Sequence, residues 1–175
     1  MAYIERFHGS EDMKVDSKYR LSVPADFRRV LESQDPDWTP GKAPRMMLLT
    51  GPRLDGFVEG YSIDSIAEIQ DALSNSPKAD PKFKALRNHY IHSAVSVTVD
   101  ETGRIVVPQK VRDKLGLGKD EYVTFLGDLK TFQLWKRDEY QARFAEEADE
   151  LGEDFDPDAA MDELLFANAS PKEVE

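Results

Sequence analysis

The chain has no cysteine. That excludes a disulfide scaffold, a thiolate metal site and a cysteine nucleophile. It has no apolar run of ~18 residues, the least a helix needs to cross a bilayer. The opening residues MAYIERFHGS lack the charged-then-apolar pattern of a secretion signal. There is no Gly-rich phosphate loop, no Gly-x-Ser-x-Gly elbow and no carboxylate pair placed near a histidine. Histidine is scarce, at three residues. His89 and His92 have a helical metal spacing, but no further ligand completes a site. The tail carboxylates lack the Asp-x-Asp-x-Asp-Gly pattern of a calcium loop. These absences point away from an enzyme, and no cofactor or metal is expected.

What remains is 175 residues with 40% apolar and 33% charged content. That suffices for one ordinary domain or two very small ones. The net charge of −11 argues against a nucleic-acid partner at first sight, because phosphate contacts dominate such affinity. Its distribution reverses that argument. Residues 145–175 hold 12 acids and only one base, Lys172; residues 1–144 hold 22 of each. The acidity is a property of the tail, and the body can carry a local basic face.

The strongest signal is an internal repeat. Val15–Leu31 aligns without gaps on Val99–Leu115, and seven of 17 positions are identical. The shared residues are Val15/Val99, Asp16/Asp100, Arg20/Arg104, Val23/Val107, Pro24/Pro108, Arg28/Arg112 and Leu31/Leu115. Downstream, Thr50-Gly51 before Phe57–Tyr61 loosely parallels Leu126-Gly127 before Phe132–Trp135.

Each copy predicts the same elements. Val95, Val97 and Val99 alternate with polar residues, as in a half-buried strand. Asp100-Glu-Thr-Gly103 is a turn, with Gly supplying positive φ. Arg104–Val107 returns as a strand. Pro108 opens a helix as its first residue, which Gly116 stops. A strand over 121–126, a turn at Gly127-Asp128 and a strand over 131–135 follow. Asp138 and Gln141 have the spacing of a capping box. The first copy predicts strands at 20–23, 46–49 and 57–61 and helices at 24–31 and 64–73. Residues 82–92 are expected to be helical. The domain expectation is 7–75 and 82–145 for the two units, with 146–175 an acidic tail that is helical and then irregular.

The two Asp-x-x-x-Arg turns, each running into a short strand, Pro and a helix, resemble those of the MraZ family. Its usual wording, Asp-x-x-Gly-Arg then apolar residues and Pro, stands in full as Asp100-Glu-Thr-Gly103-Arg104-Ile-Val-Val-Pro108. The first copy reads Asp16-Ser-Lys-Tyr19-Arg20-Leu-Ser-Val-Pro24, with Tyr19 where the family commonly has Gly. Phe7-x-Gly9, Gly127 and Phe132-x-x-Trp135 add to the likeness, which covers most of residues 5–145.

The resemblance implies an α+β, mainly β, fold. Two AbrB/SpoVT-like units form a swapped-hairpin β-barrel, with flanking helices and the acidic tail. It implies a ring-shaped homo-oligomer and a DNA-binding transcriptional repressor. Such a protein binds short repeated boxes in double-stranded DNA ahead of the division and cell-wall gene cluster. A cytoplasmic, nucleoid-associated location is implied, with no membrane. By the same resemblance Arg20 and Arg104 contact DNA, with Asp16, Asp100 and Gly103 as turn support.

An Arg at a hairpin tip can reach a guanine edge or a phosphate. Lys14 and Lys18 are candidate phosphate contacts, and so are Arg28 and Arg112 on the helices. The neighbouring acids Asp100 and Glu101 predict that Arg104 is the more ion-paired of the two tip arginines. Two rival readings remain: an AbrB-like antitoxin that also sequesters a partner protein, and a ring scaffold without a DNA role.

Overall fold

A computed structural model of the chain describes residues 5–169. The chain divides into two compact units, Met1–Tyr140 and Gln141–Glu175.

In the first unit the repeat folds as two arms of one body. The first copy supplies β1 (Ser10–Lys14), β2 (Arg20–Ser22), α1 (Ala25–Ser33), β3 (Arg45–Leu49), β4 (Phe57–Ser62) and α2 (Ile63–Ser74). A bridge follows of α3 (Pro81–Arg87) and a single π turn, Asn88–His92. The second copy supplies β5 (Ala94–Thr98), β6 (Arg104–Val106), α4 (Gln109–Leu115), β7 (Tyr122–Asp128) and β8 (Thr131–Lys136). Helix α5 (Arg137–Leu151) starts here.

The helices obey local rules. The Ser62 hydroxyl caps α2 by accepting from the Ser65 N–H, and Asp80 caps α3 at Lys82 N–H. Gly116 ends α4 in the left-handed conformation. Pro24 and Pro108 sit one position earlier than expected, as caps of α1 and α4 rather than first helical residues. Their carbonyls accept the N–H of Arg28 and Arg112, each at 3.0 Å.

Pairing runs mostly between the copies. The main sheet has the order β1-β7-β8-β4-β3-β5, all antiparallel. Strands β2 and β6 form a separate antiparallel ribbon. Among the described residues the main sheet does not close into the expected barrel, because β1 and β5 are its two ends and do not pair. The cause lies after Val15 and Val99. There the chain passes through left-handed residues, Tyr19 and Gly103, at φ 58 and 78. These turns redirect β2 and β6 onto each other instead of onto the sheet.

The core is continuous across the copies. Phe7, Phe27, Phe125 and Phe132 pack ring against ring, at centroid distances of 4.8 to 6.2 Å. Gly60 lies opposite Phe132 in the sheet. A Cβ there would lie 2.1 Å from the edge of that ring, so glycine makes room for the aromatic.

Gly127 was expected in a turn, but it lies within β7. A Cβ on it would lie 2.7 Å from the backbone of His8. It is a place of close backbone approach, and the turn falls at Leu129, which carries the positive φ.

In the second unit, α5 continues to Leu151 and α6 spans Pro157–Ala169. The acidic tail is therefore two helices, broken at residues 152–156, where Gly152 takes a positive φ of 78. Residues 170–175, at the end where the tail is expected to become irregular, lie outside the described residues. Asp138 falls within the first turn of α5, not at a cap.

Candidate nucleic-acid interface

The β2–β6 ribbon has three residue pairs: Arg20↔Val106, Leu21↔Ile105 and Ser22↔Arg104. Leu21 and Ile105 are buried in the core. By strand alternation the other four residues share the opposite, outward face. The ribbon is nearly two-fold in sequence. Arg20 corresponds to Arg104, and Ser22 corresponds to Val106. From strand rise and spacing, the two arginine backbones stand about 8 Å apart.

Each tip is closed by its aspartate. Asp16 Oδ1 accepts the N–H of Lys18 at 2.8 Å and of Arg20 at 2.9 Å. Asp100 Oδ1 accepts the N–H of Thr102 at 2.9 Å and of Arg104 at 3.0 Å, and the Thr102 hydroxyl at 2.7 Å. The backbone N–H of Arg20, helped by its side chain, lowers the Asp16 pKa to about 2. The backbone N–H of Arg104, then the Thr102 hydroxyl, holds Asp100 below the usual carboxylate range.

The two arginines are pinned differently. Arg20 Nε donates to Asp16 Oδ2 at 2.7 Å. Arg104 Nε donates to the Thr102 hydroxyl at 2.9 Å. This inverts the expectation that Arg104 would be the ion-paired member. Asp100 spends one oxygen on backbone amides and the Thr102 side chain, and the threonine intervenes. In both cases the pin uses Nε. Among the described residues, neither arginine has a protein partner at its terminal nitrogens. Those are the groups a guanine edge or phosphate accepts from.

Lys14 ends β1 and is exposed; Lys18 is exposed on the first turn. Arg28 and Arg112 do not join an outer basic surface. Each turns onto the tip of the other copy. The Arg28 guanidinium packs on Gly103, where a Cβ would lie 2.5 Å from Nη1. The Arg112 guanidinium covers the Tyr19 ring, with Lys119 Nζ also near it at 5.6 Å. The backbone repeats the crossing. Val23 N–H donates to the Gly103 carbonyl at 2.9 Å, and Val107 N–H to the Tyr19 carbonyl at 2.8 Å.

A family model described as "MraZ protein, putative antitoxin-like" matches residues 91–162. A protein of Ruegeria sp. named transcriptional regulator MraZ is 41% identical over 156 residues, covering 87% of this chain and 92% of that one. Proteins with the same name from Ruegeria pomeroyi and Cereibacter sphaeroides are each 39% identical. They cover 90% and 92% of this chain, and 95% and 96% of their own.

The chain belongs to the MraZ family.

The sequence alone places Asp16, Arg20, Asp100, Gly103 and Arg104 at two equivalent tips. That the tips belong to one ribbon emerges only from the fold. Ser22 and Val106 join the same face without having been among the expected site residues; their signal in the sequence is their place two residues after each arginine, on the alternation that buries Leu21 and Ile105.

Proposed function

We propose that the chain is a DNA-binding transcriptional regulator, the role that the name of its MraZ relatives gives them. The observation that supports this most is the ribbon's outward face. It carries two pinned arginines with free terminal nitrogens, on a two-stranded element of the kind that fits the major groove. Arg20 and Arg104 read base edges. Lys18 and Lys14, beside the first tip, hold the phosphate backbone. Asp16, Asp100 and Gly103 keep the tips in shape.

One ribbon offers few contacts and therefore little affinity. In this reading the chain assembles as a ring and meets repeated boxes upstream of the division and cell-wall gene cluster. Avidity then replaces strong single contacts. The action is repression, in the cytoplasm at the nucleoid. A protein with a neutral body and acidic tail binds non-specific DNA weakly under this scheme, which favours repeated sites.

The test is a footprint and gel shift on DNA from upstream of the chain's own gene, with sedimentation to size the assembly. Protection at regularly spaced boxes is expected, with none on a scrambled duplex. Equal binding to both duplexes, or to neither, overturns the reading.

A further inference from the structure

The ribbon is almost symmetric, and its one chemical asymmetry on the outward face is Ser22 against Val106. Val106 is an apolar residue 63% exposed. It lies directly opposite Arg20 in the ladder and two residues after Arg104 on its own strand. Single exposed apolar residues are common on surfaces. This one is bracketed by two arginines whose backbone and Nε positions are fixed by hydrogen bonds. An apolar group held between two guanine-reading cations meets whatever the major groove presents between their targets. The one apolar feature that groove offers is the C5-methyl of thymine.

We propose that Val106 is a specificity-determining residue that packs on a thymine methyl between the base pairs contacted by Arg20 and Arg104. Ser22, its counterpart, presents a hydroxyl that donates to or accepts from either kind of base pair. The ribbon therefore has two unlike ends. It reads an asymmetric box, and the orientation of each box fixes which copy faces which side. This rests on the reading that the β2–β6 face enters the major groove.

The experiment uses the full chain and a duplex from upstream of its own gene that it protects in a footprint. A second set of duplexes carries deoxyuridine in place of one thymidine at a time, which removes the methyl and leaves the hydrogen-bonding edge intact. The expected result is that one position per box, or its complement, weakens binding about fourfold, the value of burying one methyl-sized group. Val106→Ala should bind the unmodified duplex about as weakly as the natural chain binds the uridine duplex, and should no longer distinguish the two.

Val106→Ser copies the residue of the first repeat and keeps the ribbon intact if alanine loosens it; it should lose the discrimination as well. Val106→Ile, which retains an apolar branched side chain, should keep it. Equal binding of thymidine and uridine duplexes by the natural chain overturns the proposal. So does full discrimination surviving in Val106→Ser. A footprint that protects no duplex from upstream of the gene would instead overturn the DNA-reading assignment of the ribbon, and this proposal with it.

Discussion

The guanidinium carbon of Arg112 lies 4.0 Å from the centre of the Tyr19 ring, so a helix of the second copy holds down the turn of the first. Tyr19 occupies the left-handed place that Gly103 fills in the other turn. Glycine takes that conformation freely, whereas another residue pays roughly 1–2 kcal/mol. The cation over the ring returns about 0.5–2 kcal/mol. Tyr19 and Arg112 therefore compensate each other.

Tyr19→Gly removes the strain and the ring together, and we expect a change in unfolding free energy below about 1 kcal/mol. Arg112→Ala leaves the strain uncovered and should cost about 1–2 kcal/mol. In the double variant the two effects should fall short of their sum, because the arginine has no ring left to cover. Urea denaturation of the four proteins measures this. Strict additivity would mean that the contact carries no energy.

The tip aspartates give the protein an acid-sensitive feature. Asp16 has a folded-state pKa of about 2, against about 3.9 for an unperturbed side chain. A depressed carboxylate pKa stabilises the folded form above the unfolded value, and this is lost as pH falls through the folded one. Asp100 is shifted in the same direction. Between pH 4 and 2 the melting temperature should therefore fall more steeply for the natural chain than for Asp16→Asn. Parallel curves for the two proteins would show that the turn hydrogen bonds do not depend on the charge.

The tail is the main source of negative charge. Ending the chain at residue 144 takes the net charge from −11 to zero. Weaker long-range repulsion of phosphates should strengthen binding to random-sequence DNA, with little change at the specific boxes. The gain should shrink as salt is added, because the charges involved are exposed. A truncated chain that no longer assembles would assign the acidic helices a structural role instead.

Much of this architecture was legible in the sequence because it is local. Period-two valines, Asp-led turns, Pro before a helix and Gly116 after one each act within a few residues. They placed the tips of both copies correctly. What the sequence could not show is pairing at a distance. Nothing in Arg20–Ser22 says that its partner is Arg104–Val106 and not the strand before it, and that choice leaves the sheet open. Gly127 reads as a turn until the His8 backbone is seen against it. Arg28 and Arg112 read as surface cations because each is covered by the turn of the opposite copy, 75 and 93 residues away along the chain.

The central claim is that Arg20 and Arg104 read DNA from one ribbon. Its most direct test is a gel shift of Arg20→Ala, Arg104→Ala and the double variant on the upstream repeats, with assembly sized in parallel. Each single change should leave fold and assembly intact. Each should weaken binding by about 1–3 kcal/mol per contact, and by more where contacts repeat around a ring. The double variant should retain no preference for the repeats over random DNA. Full specific binding by the double variant would contradict the account.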